Sequence, residues 1–64
     1  MSLKRIVIHT ADVMALTGRS ETYARRLLRA IRQAESKHPR DMVTVEEFCR
    51  YTRIKREEVE GSLG

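Results

Sequence analysis

Thr17-Gly18-Arg19-Ser20-Glu21-Thr22-Tyr23-Ala24-Arg25-Arg26-Leu27-Leu28-Arg29-Ala30-Ile31-Arg32-Gln33-Ala34 reads as a turn followed by an amphipathic helix. Gly18 is the residue type that reaches positive φ without steric penalty, and Ser20 suits the cap of the following helix. At about 3.6 residues per turn, Ala24, Leu27, Leu28 and Ile31 share one face, flanked by Tyr23 and Ala34. Arg25, Arg26, Arg29 and Arg32 fall on the opposite side with Thr22 and Gln33. The spacing predicts a helix over 21–36 that lays its back on a small core and turns guanidinium groups outward.

Toward the N-terminus, Thr10 is placed to cap a helix of about two turns over Ala11 to Leu16, with Asp12 meeting the positive end of its dipole. Val13 and Leu16, three apart, face inward. Ile6-Val7-Ile8 is β-branched and apolar, so it reads as a short strand or extended arm. A lone strand needs a partner: a second chain, or the helices of its own core.

Toward the C-terminus, residues 36–41 form a polar connection in which Pro39 opposes continuation of the long helix. Met42-Val43 reads as a short extended return. Thr44-Val45-Glu46-Glu47 is a capping box, and Val45, Phe48 and Tyr51 are spaced to face inward. After a turn at Thr52-Arg53, a last helix is expected from Ile54 to Val59, ending before Gly61. Ile8, Asp12, Val13, Leu16 and Thr17 recur 35 positions later as Val43, Glu47, Phe48, Tyr51 and Thr52. Two units of arm, capped helix, turn and helix are therefore legible. The expected fold is mainly α: a small helix-turn-helix domain of three to four helices with a short N-terminal extended arm. It spans 1–64 as a single domain, with 1–5 and 61–64 as disordered tails.

At 64 residues there is room for one small core and none for a deep cleft between domains. The single cysteine excludes an internal disulfide scaffold, and no stretch approaches the roughly 20 apolar residues of a membrane span. The N-terminus lacks the basic-then-apolar layout of a signal peptide, so the expected setting is cytoplasmic, nucleoid-associated when bound. Residues 1–32 carry seven basic side chains against two acidic ones, whereas residues 33–64 carry six against seven. The net charge of +4 is thus concentrated in the first half, where it can serve as a footprint for a polyanion.

All five basic residues between 19 and 32 are Arg, the type that binds guanine edges bidentately as well as phosphate. A capped helix behind a Gly turn suits entry into a DNA major groove, and a helix start with free N–H groups suits phosphate. Arg19, Ser20, Thr22 and Arg26 are the candidates for the groove or its lip, with Arg25, Arg29 and Arg32 along the exposed side. The run from Ile8 through Thr10, Val13, Leu16, Gly18, Ser20 and Arg25 to Arg26 resembles the helix-turn-helix start of MerR-like and excisionase-like bacterial DNA-binding proteins, and is similar to small proteins of Bacteroidetes. That resemblance implies a transcriptional regulator or excisionase-like accessory factor in which Arg25 touches DNA. Arg19 departs from the small aliphatic residue those families place after the glycine, and Lys37 to Val43 leaves little room for their two-stranded wing.

His9, His38 and Cys49 stand 29 and 11 positions apart, unlike the close pairs of a structural zinc site. Neither a nucleophile grouping nor a Gly-rich phosphate loop is present, so the expectation is a non-enzyme without cofactor or metal. The partners expected are double-stranded DNA and a second copy in a homodimer, with no membrane. Two other readings stand beside it. One is a protein-interaction or homo-oligomerisation module using Ile6-Val7-Ile8 and the acidic residues of the C-terminal half. The other is RNA binding.

Overall fold

The computed structural model describes residues 6–63; residues 1–5 and Gly64, read as tails, lie outside the described residues. Strand β1, Val7–Ile8, pairs antiparallel with β2, Val43–Thr44, with Val7 opposite Thr44 and Ile8 opposite Val43. The Val45 N–H donates to the Ile6 carbonyl at 2.7 Å and extends the ladder. The arm's partner is therefore the chain's own second half, since the Met42-Val43 return supplies the edge it needs. Of this pair, Ile8 and Val43 turn into the core.

Helix α1 runs Thr10–Thr17. Its cap is His9 rather than Thr10: His9 has extended backbone angles, and its N–H donates to the Asp12 carboxylate at 2.8 Å. Thr10 is already helical. Gly18 closes the helix at φ 67°, donating its N–H to the Met14 carbonyl at 2.8 Å. Ser20 then caps helix α2, Glu21–Ala34, its hydroxyl accepting the Tyr23 N–H at 3.2 Å.

Helix α2 stops two residues before the expected Ser36. Ser36 lies in the left-handed region at φ 56°, the Ser36 N–H returns to the Gln33 carbonyl, and the Lys37 N–H to that of Arg32. This is a Schellman closure, so the stop comes from local backbone bonds before Pro39 is reached. Residues 37–42 form a tight turn in which the Asp41 carboxylate accepts the His38 N–H at 3.0 Å. Its only extended residue beyond is Val43, already paired with Ile8, so among the described residues 37–43 make no separate wing.

Helix α3, Val45–Thr52, opens on the expected capping box: Glu47 N–H to Thr44 Oγ1 at 3.0 Å, and Thr44 N–H to Glu47 Oε1 at 2.9 Å. Helix α4, Arg56–Leu63, starts two residues later than the sequence suggested and runs through Gly61, so residues 61–63 are helical where a tail was expected. Ile54 is held outside it, its N–H bonded to the Thr52 hydroxyl at 3.2 Å. The domain is thus mainly α-helical, four helices with a short N-terminal strand.

The core consists of Ile8, Val13, Ala24, Leu28, Ile31, Val43, Val45, Phe48 and Val59, bordered by Met14, Leu16, Leu27, Cys49 and Ile54. Tyr51, expected inside, is 45% exposed. The inward stripe of α3 passes instead through Val45, Phe48, Cys49 and Thr52, the positions an α-helix sets three and four apart.

The echo at 35 positions is geometric as well as sequential. Shifting by 35 carries α1 onto α3 end to end and the start of α2 onto the start of α4. His9 and Thr44 each donate their N–H to the carboxylate three residues on, Gly18 and Arg53 close their helices at φ 67° and 66°, and Ala24 and Val59 are both fully buried. Thr17 Oγ1 donates to the Val13 carbonyl at 2.7 Å, and Thr52 Oγ1 to that of Phe48 at 2.8 Å. Because Ile8 and Val43 are themselves 35 apart and paired antiparallel, a local two-fold axis passes through that pair.

Candidate nucleic-acid interface

The outer face of α2 is set by the inner one. Ala24, Leu28 and Ile31 are at most 3% exposed, which fixes the helix about its own axis and turns Arg25, Arg26 and Arg29 outward. Burial of an apolar stripe on one side of a 14-residue helix is thus what aligns the cations on the other.

The seven residues singled out by sequence are not equivalent. Thr22, Arg25, Arg26 and Arg29 meet around a shallow depression of about 230 Å³. The side chains of Arg26 and Arg29 have neither a hydrogen bond nor an ion pair with any described residue. Arg25 pairs with Glu21 one turn before it, so the arginine run does have an acidic neighbour, and part of its charge is balanced on the helix. Both side chains are more than half exposed, the setting in which such a pair contributes little and exchanges partners readily.

Arg19 lies 4.3 Å above the centroid of the Tyr23 ring. The half-buried ring therefore carries a cation on one face. Ser20 is exposed, with its hydroxyl oxygen accepting the Tyr23 N–H. Arg32 is half-buried and held: its Nε donates to the Asp41 carbonyl at 2.7 Å. It lies at the far end of the helix from Arg19 and Ser20.

Arg25, Arg29 and Arg32 also border a larger groove of about 410 Å³, shared with Thr10, Gln33 and Lys37. The last three were not among the sequence-derived candidates. Lys37 belongs to the connection and Thr10 to α1, so neither shares the helical period that revealed the arginines, whereas Gln33 does. Lys37 is structural as well, its Nζ donating to the Met42 carbonyl at 2.7 Å and to Glu47 Oε1 at 2.8 Å. The Lys37 bond, followed by the Thr44 N–H, holds the Glu47 carboxyl below its ordinary pKa.

The C-terminal half is laid out differently. Arg56 pairs with Glu60 one turn on, at 3.2 Å, the reverse polarity of Glu21 and Arg25 at the equivalent positions of α2. Arg50 bridges to Glu35 at 2.7 Å, tying α3 to the end of α2. Cys49 packs half-buried beside the core, and burial pushes its thiol pKa up, away from nucleophilic behaviour. No group of three or more His, Cys, Asp or Glu gathers as for a metal ion among the described residues, and no helix there is long and apolar enough to cross a membrane. Compared with protein-family models, curated proteins and solved structures, the chain matches none.

Proposed function

We propose that this protein binds double-stranded DNA sequence-specifically through the outer face of α2, with α1 and the Gly18 turn as the bracing half of a helix-turn-helix. The observation that carries the reading is the group Arg25, Arg26 and Arg29, exposed on one face of a helix whose other face is fixed in the core. Arg26 and Arg29 carry charge that no described residue balances, and Arg25 can leave an exposed pair for a phosphate. Arg26 and Thr22 are offered to base edges, and Arg25, Arg29 and Arg32 to the backbone. Ser20 and Arg19 lie at the helix start, where N–H groups favour an anion. The resemblance of residues 8–26 to MerR-like and excisionase-like proteins points the same way, toward regulation of transcription or of recombination.

The alternative of a homo-oligomerisation module is weakened by the arm, whose Val7 and Ile8 are paired with Val43 and Thr44 of the same chain. Binding to duplex DNA is measured at about 50 and 200 mM salt, for wild type and for Arg25→Ala combined with Arg29→Ala. Wild type is expected to lose affinity steeply with salt, and the double variant to bind weakly at both. A protein that ignores duplex DNA at low salt, or a double variant that binds like wild type, sinks the proposal.

A further inference from the structure

The groove beside α2 shares Arg25 and Arg29 with the outer face but not Thr22 and Arg26, the residues proposed to read bases. Its polar lining is Thr10, Arg25, Arg29, Arg32, Gln33 and Lys37: four cations, one hydroxyl and one amide, with no carboxylate among them. Guanidinium and ammonium groups only donate, so the lining offers donors in excess and awaits an acceptor-rich occupant. Arg32 is the most buried of the three arginines. Its Nε is spent on the Asp41 carbonyl, which fixes the guanidinium plane and leaves the terminal nitrogens to donate elsewhere. Lys37 is turned toward Glu47 and Met42, where its charge is balanced, so the free donors of the groove are those of α2 and Thr10. Thr10, the first residue of α1, brings a hydroxyl to the same space.

We infer that this groove is a phosphate site. Arg29 and Arg32 hold the anionic oxygens from α2, Gln33 donates its amide from the same helix, and Thr10 donates its hydroxyl from α1. In the DNA complex proposed above, on which this assignment of the occupant rests, the phosphate is one of the backbone strand running past the C-terminal half of α2. The site positions the helix on the duplex without reading sequence, which separates its role from that of Thr22 and Arg26. It also makes the connection 37–41 part of the binding surface, because that connection holds Arg32 and contributes Lys37.

The test has two arms. In the first, inorganic pyrophosphate is titrated into the protein, and the Gln33 side-chain amide and the Nε–H signals of Arg29 and Arg32 are followed by NMR. Saturable shifts confined to these groups, weakened in Gln33→Glu, are expected. Shifts spread without saturation over Arg50, Arg53 and Arg56 as well would overturn the site. In the second arm, duplex DNA affinity is measured against salt for wild type, Gln33→Glu and Gln33→Lys. The Glu variant is expected to lower the slope of log K against log salt by about 1 and to weaken all sequences alike, and the Lys variant to raise it. Unchanged binding by both variants, with loss in Arg26→Ala, which lies outside the groove, overturns the groove and leaves the DNA reading standing. Saturation by pyrophosphate with no duplex binding upholds the phosphate site and removes the DNA backbone as its source.

Discussion

Gly18 and Arg53 occupy the same place in two successive turns, at φ 67° and 66°. For glycine that conformation carries no steric cost, whereas for any residue with a Cβ it costs roughly 1–2 kcal/mol. Arg53 is exposed, so little contact is lost on its removal. Arg53→Gly is therefore expected to stabilise the domain by about 0.5–1 kcal/mol, and Gly18→Ala to destabilise it by about 1 kcal/mol. A Cβ at Gly18 meets nothing within 4 Å, so its cost is conformational alone. Urea unfolding of the two variants checks the pair, and equal signs for both would contradict the account.

Among the elements, α3 depends most on one side chain. Glu47 accepts the Thr44 N–H and the Lys37 ammonium on the same oxygen, so one carboxylate caps α3 and ties it to the connection after α2. Its folded pKa is depressed, so its contribution is complete above the unfolded value of about 4.3 and is lost as pH falls through the folded value. Glu47→Gln is expected to cost about 1 kcal/mol near neutrality and to flatten the acid limb of a stability–pH profile. An acid limb identical to wild type would exclude Glu47 as its source.

What sequence revealed at this scale follows the range of the forces. The Ser20 and Thr44 caps and the apolar face of α2 were legible because each is written within one or two turns of chain. The partner of Val7–Ile8 was not, because it lies on the far side of two helices. Tyr51 was misassigned because a three-residue spacing from Phe48 admits two inward stripes, and Cys49 and Thr52 take the one that meets the core. The arginines showed themselves by period, whereas the groove needs Thr10 and Lys37 to be carried to α2 by folding. The anchor on Arg32 was hidden for a similar reason, since the acceptor is a backbone carbonyl, which composition cannot report.

For the whole molecule, the division of charge follows the division of structure. The two halves share strand, caps and turns, yet α2 presents Thr22, Arg25 and Arg26 where α4 presents Glu57, Glu60 and Gly61. The shared plan resides in the buried and capping positions, and the outer faces have opposite character. A DNA-binding reading accordingly uses one half as reader and the other as support. The local two-fold axis through Ile8 and Val43 has a further consequence, for assembly. Each half presents to the other the surface that the same half of a second chain would also present, so two chains can trade halves with no new contact. Residues 35–42 decide against this by keeping both halves at high effective concentration within one chain. Deleting His38, Pro39 and Arg40 removes the turn that lets the chain reverse. The expected product is a domain-swapped dimer, seen by sedimentation as a mass that doubles with concentration, with helix content unchanged. A variant that remains monomeric and folded at every concentration would show that the connection has length to spare.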